Sequence, residues 1–407
     1  MPKKELKQIA AIDVGSMTVK SIIGEIDTDG KINIIGIGKS NIEQGMKKGN
    51  IVSISPAKEA IKNSIQAAVT MSGAEVEEVV VSISGDHIKT FNSGAGVFIN
   101  GGEIKQSDID RVLQKSKDSF ISQGKEVIHI IPQVYYVDKQ KVKNPVDMTG
   151  SNLEAKVHVA LANKSNAKNL VNCFNDNDIK VKSLVFAPIA SSYGVLSDDE
   201  RTLNMIVIDI GYGTSTAVAY ADGSIVFSTI LPVGGYNISN DLALTLNIDN
   251  ELAEELKLKY GYPLLEEDEF DDYFEDEKFS DIKKSEVEQI IGERVIEIFE
   301  LLKNELYESG LYSDYYKTIL PGIVLTGGTA NLKNIDILLK EVFGEEVKTR
   351  IGYPKHNIKE LVDLVSKPEY ATGVGLLHFT KQYMEIEKKK DSKNFLAKAI
   401  EAIKKRL

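Results

Sequence analysis

Short apolar runs separated by glycine turns occur twice in this chain, in the same order. The first set is Gln8-Ile-Ala-Ala-Ile-Asp13-Val-Gly15-Ser16-Met17-Thr18, an apolar run to Ile26, a turn at Asp27-Thr-Asp-Gly30 and a third run from Lys31 to Ile37. The second is Met205-Ile-Val-Ile-Asp209-Ile-Gly211-Tyr212-Gly213-Thr214, a run to Tyr220, a turn at Ala221-Asp-Gly-Ser224 and a run from Ile225 to Leu231. Each predicts strand, glycine turn, strand, Asp-Gly hairpin, strand. The copies lie about half the chain apart, so the pattern predicts an α/β protein with a duplicated core. After Ser55-Pro56, Ala60, Ile61, Ile65, Ala68 and Val69 recur at helical spacing, and proline suits the first helical turn. Glu78 to Ser84 reads as a buried strand. The stretch from Gly85 to Asn163 breaks the symmetry, mixing extended runs such as Val127 to Ile131 with a helix near Ser107 to Lys117, and predicts an inserted subdomain. A helix near Ala167 to Asp176, a strand from Val181 to Phe186 and a helix from Ala187-Pro188 toward Leu196 follow. The second half carries its own insertion, roughly Asn240 to Asn304.

Composition narrows the class. A 407-residue chain that is 42% hydrophobic and 27% charged is an ordinary globular protein with ample core. A net charge of -11 opposes binding to nucleic acid, because a polyphosphate surface repels the bulk of the molecule. Cys173 is the single cysteine, which excludes an intramolecular disulfide, suits a reducing compartment and predicts a core-filling role. No apolar run reaches the roughly 18 residues of a membrane span. The opening segment reaches Asp13 before a signal-peptide core develops, so a cytoplasmic location is expected. Positions 266 to 277 hold nine acidic residues in twelve; without regular ligand spacing this reads as a solvated loop, not a metal site.

The glycine turns carry the candidate chemistry. ATP with Mg²⁺ needs backbone N–H groups and cations near phosphate oxygens, and carboxylates on the metal side. Gly15, Gly211 and Gly213 allow close backbone approach, Ser16, Thr18 and Thr214 add hydroxyls, and Lys20 adds a cation. Asp13 and Asp209, at strand ends, are placed to hold hydrated Mg²⁺ from two sides. One Asp-x-Gly triplet marks only a turn; its duplication in matched contexts is the signal. A third element, Gly322 to Thr326 followed by Gly327-Gly328-Thr329, serves equally as a base-and-ribose loop or a strand-to-helix turn. Glu254 and Lys257, three apart on a helix, either face one ligand or form an exposed ion pair.

On these residues the chain resembles the superfamily of actin, sugar kinases and heat-shock chaperone ATPases. Asp13 to Lys20 is similar to its first phosphate loop, Met17 included, Asp209 to Thr214 to its second, and Gly327-Gly328-Thr329 to its adenosine loop. More narrowly, the chain resembles the FtsA family of bacterial cell-division proteins from near residue 8 to the C-terminus. The stretches that carry this are Ser84-Gly85-Asp-His87-Ile88, His129 to Tyr135, Pro188 to Tyr193, Ile230 to Gly235, Ile323 to Thr329 and Ala371 to His378. The resemblance implies an actin-like fold of two lobes around a nucleotide cleft. Its first lobe takes 1–84 with 163–199 and 366–384, and the inserted subdomain, implied to make filament contacts, takes 85–162. The second lobe takes 200–239 with 305–365, and its insertion takes 240–304. It also implies nucleotide contacts at Tyr212, Gly235, Glu254 and Lys257, self-assembly, and binding of the acidic C-terminal peptide of FtsZ, with Arg294 at the matching basic position. Without the resemblance Arg294 is a surface arginine. Other division proteins are implied partners, at the cytoplasmic face of the membrane. Two departures stand out. Ala187 replaces the acidic or amide residue that many superfamily members place before the inter-lobe proline, and Tyr212 replaces a small residue, so slow hydrolysis is expected.

The end of the chain reads differently. Residues 385–394 form a charged linker. On a helical wheel of about 100° per residue, Phe395, Leu396, Ala399, Ile400, Ile403 and Leu407 share an arc of roughly 140°. Lys398, Lys404 and Lys405 lie elsewhere, and Arg406 sits at the edge. The alternatives are a helix docked on its own domain and an interfacial helix on anionic inner-membrane lipid. The charged linker and basic surplus favour the second, as does the resemblance. A sugar kinase and a chaperone ATPase fit these features poorly; an actin-like component of inner-membrane pilus assembly is the nearest rival.

Overall fold

Two sheets are built to one plan. The computed structural model describes residues 7–384 apart from 43, 101, 119–123, 176–178, 264–271, 311–321, 355–357 and 360. In the first sheet Lys7–Val14, Thr18–Ile26 and Ile32–Asn41 form an antiparallel meander, and Glu78–Ile83 and Lys180–Phe186 add in parallel beyond Lys7–Val14. In the second, Met205–Ile210, Ser215–Ala221 and Ser224–Leu231 form the meander, and Gly322–Thr326 and Thr349–Ile351 add in parallel beyond Met205–Ile210. The duplication expected from the apolar pattern is present. Its hairpins form for local reasons: Asp222 and Gly223 both take positive φ, 52° and 81°, the conformation of the tight turn that matches strand twist.

The helices close these sheets. Ile54–Ser72 lies on the first meander, so near that an added Cβ at Gly38 would fall 1.8 Å from the Ser64 carbonyl oxygen. The other face of the second sheet meets Gly235–Leu246 and Lys284–Glu308, with Phe299, Leu302 and Leu306 fully buried. Between the lobes, Ala187–Val195 crosses the helix at 371–384. Cys173 is fully buried in the core of the first sheet, where its thiol donates to the Asn169 carbonyl at 3.3 Å, in its expected core-filling role. Among the described residues no helix is long and apolar enough to cross a membrane.

The stretch that breaks the symmetry folds as a four-stranded antiparallel sheet ordered Lys89–Phe98, Asn152–Asn163, Lys125–Val137, Gln140–Val142. The helix Gln106–Asp118 covers it, and it has its own core around Ile104, Val112, Leu153 and Val157. It docks on the free edge of the second sheet through polar groups. Thr90 Oγ1 donates to the Ser228 carbonyl, Asn92 Nδ2 to the Val226 carbonyl at 2.8 Å, and Gln133 Nε2 to the Ile225 carbonyl at 3.0 Å. The subdomain is therefore inserted in one lobe and bonded to the other. In the acidic run, Asp272 pairs with Lys284 and Asp276 with Lys259, while 266–271 lie outside the described residues.

Candidate functional site

The two Asp-x-Gly turns face one another across the cleft between the lobes. Each is closed by one bond: the Gly15 N–H donates to the Thr18 carbonyl at 3.1 Å, and Gly211 N–H to the Thr214 carbonyl at 2.9 Å. They nearly touch, since an added Cβ at Gly213 would lie 2.6 Å from Ser16 Oγ. The cleft has a volume of about 620 Å³ and is lined by Gly15, Ser16, Met17, Thr18, Lys20, Gly211, Tyr212, Gly213 and Thr214, within the ordinary size of ligand sites.

Asp13 and Asp209 end their strands at the cleft floor. Lys20 Nζ lies 3.8 Å from Asp13 Oδ2, and Ser82 Oγ donates to Asp13 Oδ1 at 2.9 Å. Burial pushes the Asp13 carboxyl up against those two stabilising groups. Asp209 is pushed up to about 6, by burial first and then by Asp13, against hydroxyl bonds from Ser191 and Thr372. Two buried carboxylates, with the charge of Asp13 raising the cost of ionising Asp209, are a donor set suited to a hydrated divalent cation.

The third glycine element joins the same cleft, with Gly327, Gly328 and Thr329 on its wall. Gly327 has φ +91°, and an added Cβ there would lie 2.3 Å from Asp209 Oδ1. Gly328 has open space instead. Thr329 Oγ1 donates to the Gly211 carbonyl at 3.4 Å, and the Gly235 N–H to the same oxygen at 2.9 Å. The second phosphate turn, Gly235 and the third loop thus meet at one carbonyl.

Glu254 and Lys257 also reach the cleft, as a buried pair and not an exposed one. Lys257 Nζ donates to Glu254 Oε2 at 2.7 Å, Ser239 Oγ at 2.8 Å and the Gly235 carbonyl at 3.0 Å. Burial lowers the Lys257 ammonium from its usual range, with Glu254 opposing. Lys257 Nζ also sits 5.5 Å from the Tyr212 ring centroid. Tyr212 closes this wall against Tyr236 and is pushed up to about 12 by burial and by Glu254.

Several cleft residues carried no local sequence signal. Ser82 relays the Val14 N–H, received at 2.9 Å, to Asp13; a lone serine within Val79-Val80-Val81-Ser82-Ile83 was the available hint. Thr372 Oγ1 donates to Asp209 Oδ2 at 3.2 Å from a distant helix. Lys333 lies over the Tyr262 ring, 4.9 Å from its centroid, at the cleft edge. Ala187 lines the cleft too, and its methyl brings no polar group there.

Arg294 lies away from the cleft, on Lys284–Glu308. Its Nε donates to Asp241 Oδ2 at 2.5 Å and its Nη1 to Glu297. An acidic segment arriving there meets a guanidinium already paired. Phe395, Leu396, Ile400, Ile403, Lys404, Lys405, Arg406 and Leu407 lie outside the described residues, as does the linker 385–394.

Comparison with known proteins follows from this geometry. A protein-family model described as Cell division protein FtsA matches residues 206–375, and one described as the SHS2 domain inserted in FTSA matches 85–161. Cell division protein FtsA of Pseudomonas aeruginosa is 32% identical over 92% of this chain and 89% of its own length. That of Borreliella burgdorferi is 33% identical over 94% and 93%. Among solved structures, a chain of the PilM-PilN type IV pilus biogenesis complex has a TM-score of 0.68 at 14% identity, covering 93% of this chain and 99% of that one. MreB 5 of Spiroplasma citri bound to AMPPNP has a TM-score of 0.53 at 13% identity, covering 96% and 100%. The fold is that of the actin-like ATPases.

Proposed function

We propose a function from one premise: the chain belongs to the cell-division protein FtsA family. It binds ATP between the turns at Gly15 and Gly211, assembles into filaments on the cytoplasmic face of the cell membrane, and tethers FtsZ filaments there during septum formation. The observation that carries the reading is the pair of matched turns facing across one cleft, with Asp13 and Asp209 buried at its floor. Mg²⁺, held through water by those two carboxylates, would offset the phosphate charge. Lys20 and the hydroxyls of Ser16, Thr18 and Thr214 take the phosphates. Gly327, Gly328 and Thr329, with Gly235, Glu254, Lys257 and Tyr212, take the nucleoside.

The working units follow the boundaries given above, with 85–162 as the filament-contact subdomain and 240–304 as the insertion that receives the FtsZ C-terminal peptide near Arg294. Anchoring is assigned to 395–407, whose single helix binds anionic lipid reversibly and whose many copies on a filament hold firmly through effective concentration. Other division proteins join at the septum. Ala187 supports slow turnover, below the roughly 1–100 per second of kinases. The pilus-complex chain shares the fold alone, and family membership favours division.

The test is binding of a fluorescent ATP analogue to the purified chain with and without Mg²⁺, followed by sedimentation with anionic vesicles and an FtsZ C-terminal peptide. Mg²⁺-dependent binding and co-sedimentation of the peptide are expected. A chain that binds no nucleotide, or that leaves the peptide in solution, sinks the proposal.

A further inference from the structure

A small hairpin joins the first phosphate turn to the inserted subdomain. Met46–Lys47 pairs with Asn50–Ile51, and the tip residues Lys48 and Gly49 both take positive φ, 50° and 76°. The Gly49 N–H donates to Ser16 Oγ at 2.9 Å. Ser16 accepts through its oxygen there, so its own proton stays available to a ligand in the cleft. An added Cβ at Gly49 would lie 2.6 Å from the Gly85 nitrogen and 2.7 Å from its Cα. The hairpin backbone therefore rests directly on the segment that leads into the inserted subdomain.

The next residue uses its whole side chain. Asn50 Nδ2 donates to the Lys48 carbonyl at 3.2 Å and to Asp86 Oδ1 at 2.9 Å. Its Oδ1 accepts from Asn166 Nδ2 at 2.9 Å and from His87 Nδ1 at 2.8 Å. Because that oxygen can only accept, His87 carries its proton on Nδ1. Both donors and both lone pairs of the amide are used. Asp86 and His87 lie where the chain enters the inserted subdomain, and Asn166 lies just past the strand by which it leaves. One side chain thus ties both crossings to a loop whose neighbour bonds the phosphate turn.

We propose that Asn50 is a positioning residue that couples phosphate at Ser16 to both chain crossings of the inserted subdomain. A phosphate oxygen that accepts the Ser16 proton holds Ser16 in place, and with it Gly49, the hairpin tip and Asn50. Without that ligand, a tip with two left-handed residues is held to Ser16 by a single N–H bond. A phosphate oxygen on Ser16 thus favours the arrangement in which the hairpin tip is bonded to Ser16 over any in which that bond is open, the differential contact that a population shift requires. The proposal rests on the ATP reading above, and it gives nucleotide a physical route to the part of the molecule assigned to filament contacts.

The full chain is compared with Asn50→Ala, Asn50→Asp and Asn50→Asp combined with Asp86→Asn. The carboxylate of Asn50→Asp faces Asp86 and loses the donors, and Asp86→Asn restores a donor from the other side. Two readouts are taken: affinity for a non-hydrolysable ATP analogue with Mg²⁺, and amide hydrogen exchange in 84–98 and 161–170 with and without it. The wild-type chain is expected to slow exchange at both crossings by about fivefold or more on binding, the lower end of ordinary coupling, while Asn50→Ala keeps its affinity within about threefold and loses the slowing. Asn50→Asp loses it as well and the double variant regains it, a rescue that general destabilisation does not produce. Slowing that survives Asn50→Ala, or a wild-type chain that binds the analogue without slowing, overturns the coupling alone. A wild-type chain that binds no nucleotide overturns the ATP reading and the coupling with it.

Discussion

Acidification acts on the contact between the inserted subdomain and the second lobe through His158. Its Nδ1 lies 2.7 Å from Asn92 Oδ1 and its Nε2 2.7 Å from Ser228 Oγ. Asn92 spends its amide nitrogen on the Val226 carbonyl, so His158 donates through Nδ1 and accepts the Ser228 hydroxyl through Nε2. His129 likewise accepts the Phe186 N–H at 3.0 Å. Burial holds both imidazoles down at about 4 from an ordinary 6.5, and His129 also feels His158. From about 6.5 down to about 4 the unfolded chain binds protons that the folded chain refuses. The stabilisation is therefore complete above that window, falls as pH falls through it, and levels off below it. At pH 5 each histidine costs about 2 kcal/mol relative to pH 7.5. Asp209 works the other way: with its carboxyl raised to about 6, the folded chain takes that proton first and regains about 1 kcal/mol at pH 5. His158→Gln isolates the effect, because glutamine offers a donor and an acceptor without titrating. Urea unfolding followed by circular dichroism should show the wild-type chain losing about 2 kcal/mol more than His158→Gln between pH 7.5 and pH 5. Equal losses would mean that His158 titrates freely and is not held buried between Asn92 and Ser228.

Other expectations follow from the cleft and the two assigned surfaces. Gly327→Ala should weaken ATP-analogue binding about 10- to 100-fold, because its Cβ meets Asp209 and its φ is left-handed. Gly328→Ala, with space around it, should leave unfolding unchanged, and any lost affinity then reports contact with the ligand. Phe395→Glu with Ile400→Glu should abolish sedimentation with anionic vesicles, since two buried apolar side chains contribute about 3–6 kcal/mol at most; intact binding ends the anchor assignment. Arg294→Glu sets a third carboxylate beside Asp241 and Glu297 and should weaken FtsZ-peptide binding about tenfold or more with ATP affinity unchanged. Unchanged peptide affinity removes Arg294 from that surface.

What the sequence disclosed was whatever is encoded locally. The meanders at Asp13 and Asp209 follow from alternation and Asp-Gly turns within some thirty residues each, and they came out in the expected places. Helical spacing put Glu254 beside Lys257, yet it could not say that the pair would be buried under Gly235 and Ser239, because that depends on a neighbouring helix. Ser82 reaches Asp13 across 69 positions, Thr372 reaches Asp209 across 163, and Asp241 neutralises Arg294 across 53. No periodicity registers such closures. The hairpin at Met46 to Ile51 escaped for a related reason: its strands are two residues each, too short for alternation, and its place is fixed by Ser16, Gly85 and Asn50 together.

The two helices that cross between the lobes border the cleft. At the crossing of Ala187–Val195 with the helix at 371–384, an added Cβ at Gly194 would fall 2.1 Å from the Ala371 carbonyl oxygen, and one at Gly375 1.7 Å from that of Ala190. The helices meet backbone to backbone, and Ile189 and Val374 share one apolar cluster with Val207, Val218 and Tyr220 of the second lobe. A dry, close crossing resists separation, and the cleft floor lies beside it, since Ala187 and Thr372 of the crossing helices both line the cleft. Asp209 senses the crossing from inside, through Ser191 on one helix and Thr372 on the other. Ala187, where the connecting segment enters the cleft, supplies no group to orient water. On the proposed reading, a nucleotide between the turns at Gly15 and Gly211 would act as a latch across the lobes, and the inserted subdomain, bonded to the second lobe through Asn92 and Gln133, would follow the angle between them.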